Sequence, residues 1–86
     1  MRYYAENLLF LHQNKSQGMK LNRIKAVLVD RDVSQTDLAK EIGKSFSTVN
    51  AYCCNRQQPS LELLHQIAVY LNVSIRELLI DNKNEE

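Results

Sequence analysis

Apolar residues recur at helical spacing along most of the chain, and polar residues or glycine interrupt them at short intervals. Leu21, Ile24, Lys25 and Leu28 follow the i, i+3, i+7 spacing of a first helix, which the stretch 31–33 ends. No segment alternates with the period of two that marks a strand. The pattern therefore predicts an all-α fold without a sheet.

Serines mark the starts of the later helices. Ser34, with Asp37 three residues on, has the pattern of a capping box, and the second helix runs to Ile42 and stops at Gly43. A third helix is predicted from Phe46 to about Cys54, followed by a loop over 55–59.

Two further helices complete the predicted five. Ser60 opens the fourth helix, which the sequence 72–73 breaks and whose apolar stripe is Leu61, Leu64, Ala68 and Leu71. Ser74 is predicted to cap a short fifth helix, with Glu77 completing a second capping box. Five short helices with tight connections indicate a compact helical bundle.

The stretch 34–54 is a helix, a three-residue turn with a glycine, and a second helix. So short a turn cannot fold the chain into an antiparallel hairpin, so the two helices must cross steeply, as in a helix-turn-helix. Gly43 permits the left-handed turn and Ala39 permits close approach of the two helices. The residues expected to point inward and fix the crossing are Leu38, Ile42 and Val49.

Three pieces of the sequence, SQTDLAKEIG, STVNAY and PSLELLHQIAVYLNVSIRELL, resemble the Cro/repressor-type helix-turn-helix proteins, also called the XRE family. The resemblance covers about 21–79. It implies a five-helix, repressor-like domain that binds double-stranded operator DNA, usually as a two-fold dimer, to regulate transcription. The predicted division is an N-terminal extension 1–18, the DNA-binding domain 19–80 and an acidic tail 81–86.

In such a domain the exposed side of the third helix reads base edges in the major groove. With Val49 and Tyr52 facing the core, the predicted base-reading residues are Phe46, Ser47, Asn50 and Ala51. Asn50 is the best reader, because its amide can bond adenine through two hydrogen bonds. Phe46 and Ala51 would offer only apolar contact, which departs from the more polar third helices common in the family. Phe46 could alternatively be buried against the second helix.

Affinity is expected to come from the DNA backbone. The predicted phosphate-binding residues cluster around the ends of the second and third helices and are Gln35, Lys44, Ser45, Thr48, Asn55 and Arg56. The resemblance also implies a homodimer formed by the region of the fourth and fifth helices, where the candidates are Val73, Ile75, Leu78 and Leu79. Their alternative role is in the intramolecular core, which is favoured for Val73 and Leu78.

Residues 1–18 contain two tyrosines and a short LLFL patch. They are either a poorly ordered extension or a segment that docks on the body or on a protein partner. The second interpretation gives an alternative function, an antitoxin or adaptor whose main role is to hold a protein partner.

Charge and candidate chemistry change this picture little. The net charge is +1, but the stretch 20–76 carries eight basic and five acidic residues, whereas four acidic residues and one basic residue follow. Cys53 and Cys54 are adjacent, so they cannot form a disulfide framework, and no second pair of ligands suits zinc. No catalytic set of residues is recognisable, so neither an enzyme nor a cofactor is predicted. Without a membrane-spanning run or a signal peptide, the chain is expected to be cytoplasmic.

Overall fold

The computed structural model describes residues 19–84, and these form an all-α domain, as predicted. Its four α-helices are α1 (Ile24–Arg31), α2 (Gln35–Ile42), α3 (Phe46–Cys53) and α4 (Leu61–Leu71). The predicted fifth helix is instead the four-residue 3-10 helix Ile75–Leu78, and a short 3-10 turn, Asn82–Asn84, follows it. The predicted number of α-helices was therefore too high by one, although the fold class is confirmed.

Helix starts follow one rule in three of the four helices. Each of α2, α3 and α4 begins after a serine whose Oγ accepts a hydrogen bond from the backbone N–H three residues on, at 3.0 to 3.1 Å. These serines are Ser34, Ser45 and Ser60. The cap satisfies one of the N–H groups that a helix start leaves without a partner. Ser74 makes no such bond, so the predicted capping box with Glu77 is wrong.

Three of the four helices end at a residue with positive φ. Asp32 ends α1 at φ 58°, Gly43 ends α2 at φ 70° and Asn72 ends α4 at φ 60°. This left-handed conformation turns the chain away from the helix axis, and aspartate, asparagine and glycine adopt it at the lowest cost. The sequence thus divides the chain into helices of 8, 8, 8 and 11 residues.

A single apolar core joins all these elements. The largest fully buried side chains come one from each of α1, α2, α3, α4 and the 3-10 helix: Ile24, Leu38, Val49, Ile67 and Leu78. Leu38, Ile42 and Val49 point inward as predicted, and Ala39 is also buried. This packing fixes how α3 lies against α2.

Two predicted apolar positions lie outside the core. Leu21 precedes α1 rather than belonging to it, and Leu61 at the start of α4 is 71% exposed. The buried stripe of α4 is Leu64, Ile67, Ala68 and Leu71, at i, i+3, i+4 and i+7. Helical spacing alone did not distinguish this stripe from the one that begins at Leu61.

The two ends of the domain are joined by backbone hydrogen bonds. Asn22 and Leu79 form an isolated antiparallel β-bridge. The N–H of Arg23 donates to Leu78 O at 2.9 Å, and the N–H of Ile80 donates to Leu21 O at 3.0 Å. The chain must therefore become extended at Leu79, which limits the preceding helix to one short 3-10 segment. No helix within the range 19–84 is long and apolar enough to span a membrane.

Candidate nucleic-acid interface

The α2–α3 unit presents one end of α3 to solvent. Gly43 makes the turn, in which the N–H of Lys44 donates to Ala39 O at 3.0 Å. Only two residues separate Gly43 from the start of α3. Val49, Tyr52 and Cys53 face the core. At the opposite side and near the start of α3, Phe46 is 52% exposed and Ser47 is exposed. Phe46 is therefore not buried against α2, and these two residues are the outward face of the helix.

Ala51, predicted as a third apolar reader, does not belong to this face. It is only 9% exposed, and its carbonyl accepts the N–H groups of Arg56 at 2.9 Å and Gln57 at 3.3 Å. The loop after α3 folds back over this position. The structure thus contradicts a base-reading role for Ala51.

Asn50 links the two halves of the unit instead of extending freely into solvent. Its Nδ2 donates to Gln35 Oε1 at 3.0 Å, from α3 to the first residue of α2. Its Oδ1 accepts from the Arg56 guanidinium at 3.4 Å, and the Cys54 thiol lies 3.8 Å from the same oxygen. The amide that could bond adenine is therefore engaged at both ends, although Asn50 is still partly exposed.

Ser45 and Thr48 form the start of α3. Ser45 Oγ accepts from the N–H of Thr48 at 3.1 Å and donates to Thr48 Oγ1 at 3.0 Å. A hydroxyl has one proton, so Ser45 uses its proton inside the cap whereas Thr48 keeps its own for another acceptor. Of the two predicted phosphate-binding hydroxyls, only that of Thr48 is left as a donor in this arrangement.

The remaining donors lie on either side of α3 in the sequence. Lys44 and Arg56 are exposed, and Gln35 is partly exposed. The hydrogen bond from Asn50 uses only the oxygen of the Gln35 amide, so its Nε2 group keeps both protons, with no acceptor among residues 19–84. Together these groups frame the outward face at Phe46 and Ser47.

Asn55, predicted to contact phosphate, is buried. It has φ 59°, and its side-chain amide bonds the backbone of Leu21 and Asn22 at 2.9 to 3.0 Å. A side chain committed to these bonds cannot reach a phosphate. The structure thus contradicts direct phosphate binding by Asn55 and shows it holding two distant segments together.

The four dimer candidates differ in accessibility. Leu78 is fully buried in the core of its own chain, so it cannot form an interface between chains, and that prediction is wrong. Val73 and Ile75 are partly buried and pack against the same core, whereas Leu79 is 41% exposed. Val69 and Tyr70, exposed on the last turn of α4, were not predicted as candidates.

The cysteines occupy unlike environments. Cys53 is buried, and desolvation, aided by the neighbouring Cys54, raises the pKa of its thiol to about 11. Cys54 is exposed. No group of three histidine, cysteine, aspartate or glutamate residues in the described part of the chain is arranged to hold a metal ion.

Sequence reasoning missed Asn22 and Gln58, which both bond Asn55. Asn22 lies 33 residues from Asn55 and Gln58 lies three residues from it, and helical spacing carries no signal for the longer contact. The predicted roles of residues 1–18, including docking on a protein partner, concern residues outside the described range.

Known proteins with similar sequences carry the same unit. A family model described as helix-turn-helix matches residues 24–78. The cryptic phage CTXphi transcriptional repressor RstR of Vibrio cholerae is 34% identical over 62 residues, which are 72% of this chain and 56% of the repressor. An uncharacterised HTH-type transcriptional regulator of Methanocaldococcus jannaschii is 33% identical over 64 residues, covering 74% of this chain and 97% of that protein. The chain thus spans little more than half of RstR but nearly all of the archaeal regulator.

Solved structures extend the similarity to the fold. A crystal structure of a Bacteroides fragilis protein named as DNA-binding has a TM-score of 0.70 and 44% identity, covering 72% of this chain and 100% of that one. The solution structure of the SOS-response transcriptional repressor LexA from Eubacterium rectale has a TM-score of 0.63 and 25% identity, covering 74% of this chain and 68% of that one.

Proposed function

Because the chain belongs to the helix-turn-helix family of DNA-binding proteins, we propose that it is a transcriptional regulator that binds operator DNA in the cytoplasm as a homodimer. The observation that carries this proposal is the outward face of α3. Phe46 and Ser47 are exposed at its start, whereas every inward position of the helix is buried. An α-helix presented in this way fits the major groove, where each base pair has its own pattern of donors and acceptors.

Base reading falls to Ser47 and Phe46. The Ser47 hydroxyl can donate to or accept from a base edge, and the Phe46 ring offers contact to a thymine methyl. The bonds of Asn50 to Gln35 and Arg56 fix the orientation of its amide. One Nδ2 proton of Asn50 is left to donate to a base. This chain therefore reads DNA with fewer polar side chains than its sequence first indicates.

Phosphate binding falls to Gln35, Lys44, Thr48 and Arg56. These four residues keep a charge or an unused proton at the surface beside the outward face. Two of them are cations, so the electrostatic part of the affinity is small for one protomer. A homodimer doubles it and matches the two-fold symmetry of an operator. Leu79, Ile75 and Val73 remain the proposed interface.

Selection from a random-sequence DNA library, followed by fluorescence anisotropy with the enriched duplex, tests this function. The wild-type protein should enrich a sequence with two-fold symmetry. Ser47→Ala should lower the preference for that duplex over random DNA by about threefold to tenfold, since a single hydrogen bond contributes about 0.5–1.5 kcal/mol. Binding to random DNA should be unchanged.

Ser74→Ala is the matched control, because it removes an exposed hydroxyl that makes no side-chain cap bond. It should leave the preference intact. If no sequence is enriched, or if Ser47→Ala and Ser74→Ala behave alike, α3 does not read bases in the proposed way. Sedimentation of the wild type and of Leu79→Glu tests the dimer, which the glutamate should dissociate.

A further inference from the structure

Asn55, directly after α3, holds the backbone of a segment far away in sequence. Its Oδ1 accepts from the N–H groups of Leu21 at 2.9 Å and Asn22 at 3.0 Å, and its Nδ2 donates to Asn22 O at 3.0 Å. Donating to and accepting from the same residue imitates the pairing of one β-strand with another. The opposite edge of Asn22 pairs with Leu79. The segment 21–22 therefore lies between the C-terminal backbone and the Asn55 side chain.

Asn22 returns the contact with its own side chain. Its Nδ2 donates to Tyr52 O at 2.9 Å and to Gln58 Oε1 at 2.7 Å, while its Oδ1 accepts from the N–H of Ile24 at 2.9 Å. Gln58 Nε2 also donates to Asn55 Oδ1 at 3.0 Å. Both asparagines are buried, and each amide nitrogen and each amide oxygen has at least one partner. We name this set of bonds among Asn22, Asn55 and Gln58 the amide clip.

The backbone conformation alone does not require this side chain. Asn55 has φ 59°, which glycine adopts without strain. Asn72 has nearly the same φ, 60°, at the end of α4, yet it is exposed and its amide makes no bond of this kind within the described residues. The position after α3 therefore carries a buried polar network in addition to the conformation it shares with Asn72.

The amide clip fixes both ends of the loop that carries Arg56. Asn55 precedes Arg56 and Gln58 lies two residues beyond it, so a side chain on each side of Arg56 is bonded to Asn22. The Arg56 N–H donates to Ala51 O at 2.9 Å, and its guanidinium lies 3.4 Å from Asn50 Oδ1. Arg56 is thus exposed at its tip but held at its base.

We infer that Asn55 is a positioning residue for DNA binding, acting through Arg56. The amide clip orders the Arg56 loop before DNA arrives, so less conformational entropy is lost when the guanidinium contacts a phosphate. This inference rests on the proposed function of Arg56 in binding DNA. It assigns no DNA contact to Asn55 itself.

The test measures binding to a labelled random-sequence duplex as a function of salt, because phosphate contacts do not depend on sequence. The variants are Asn55→Gly, Arg56→Ala and the double variant, with Asn72→Gly as the matched control. Asn55→Gly keeps the positive φ and removes the amide, and Asn72→Gly makes the same change where no clip exists. Circular dichroism and urea unfolding establish a temperature at which the wild type and all four variants are folded.

Arg56→Ala should weaken binding by roughly tenfold and reduce the slope of log K against log salt by about one per protomer. Asn55→Gly should weaken binding by about threefold or more and also flatten the salt slope. The double variant should bind no more weakly than Arg56→Ala alone, because the clip acts through the arginine. Asn72→Gly should bind as the wild type does.

Two outcomes would overturn the inference in distinguishable ways. If Arg56→Ala changes neither affinity nor slope, the proposed phosphate role of Arg56 fails and the inference fails with it. Suppose instead that Arg56→Ala behaves as expected. If Asn55→Gly then binds as Asn72→Gly does, or if its loss of affinity multiplies that of Arg56→Ala in the double variant, only the positioning role is refuted. Should Asn55→Gly not fold, Gln58→Ala decides in its place, since Gln58 is exposed and contributes two bonds of the clip.

Discussion

Replacing Gly43 by alanine separates the conformational requirement of the α2–α3 turn from its steric requirement. Gly43 has φ 70°, and a Cβ built on it would meet no atom within 4 Å. The added methyl therefore costs only the strain of an L-residue in the left-handed region, about 1–2 kcal/mol. No neighbouring side chain has to move, so the crossing of α2 and α3 should be retained.

Urea unfolding followed by circular dichroism measures this cost. The free energy of unfolding of Gly43→Ala should fall by about 1–2 kcal/mol with an unchanged m-value, and the thermal midpoint should fall by about 4–8 °C for each kcal/mol. DNA affinity, measured where the variant is fully folded, should equal that of the wild type. A loss of stability well above 2 kcal/mol, or weaker DNA binding by the folded variant, would refute the reasoning from open space around Gly43.

Ala39→Leu is the contrasting variant, four residues earlier. Ala39 is buried on α2, so a larger side chain at this position must displace its neighbours in the core. Overpacking of this kind costs about 1–3 kcal/mol and shifts backbones. Ala39→Leu should therefore lose DNA affinity even when folded, which Gly43→Ala should not.

Three further predictions concern stability. Leu38→Ala should lower the free energy of unfolding in urea by about 3–5 kcal/mol because the side chain is fully buried. The exposed control, Leu61→Ala, should change it by no more than about 0.5 kcal/mol. Equal losses would contradict the assignment of Leu38 to the core and of Leu61 to the surface. Ser34→Ala should cost about 1 kcal/mol through the lost cap, and Ser74→Ala, which loses no cap bond, should cost clearly less. Burial raises the pKa of the Cys53 thiol from its ordinary 9.0 to about 11, so the contribution of the neutral thiol to stability is complete below pH 9 and is lost as the pH rises to 11. Between pH 9 and 11, the free energy of unfolding of Cys53→Ala in urea should fall less than that of the wild type. Equal pH profiles of the two proteins would exclude ionisation of Cys53 as the cause.

Local signals predicted much of the fold. The serine caps at Ser34 and Ser60 and the glycine at Gly43 act within a few residues, so the sequence carries their effect directly. The all-α class and the buried face of α2 follow from the same short-range periodicity. The XRE-type resemblance is confirmed by the family match and by the regulators with similar sequences.

Contacts between distant residues explain the errors. Ser74 begins only a 3-10 segment because the backbone at Leu79 must pair with Asn22, 57 residues earlier in the chain. Asn55 was predicted to bind phosphate since it is polar and follows α3, but the backbone groups that its amide bonds are more than 30 residues away. Ala51 was placed outward by helical angle alone, whereas the returning loop covers it.

The small net charge makes ordering of the interface more important than the number of charges. With Lys44 and Arg56 as the two cations proposed to bind phosphate, counterion release gives a salt slope of only about two for a protomer and about four for a dimer. Each contact must therefore be formed with little entropic loss. The bonds of Asn50 to Gln35 and Arg56 fix the side chains, and the amide clip fixes the loop backbone. A chain with a charge of +1 can bind DNA through two cations per protomer when the loop that carries one of them, Arg56, is held in place before the encounter.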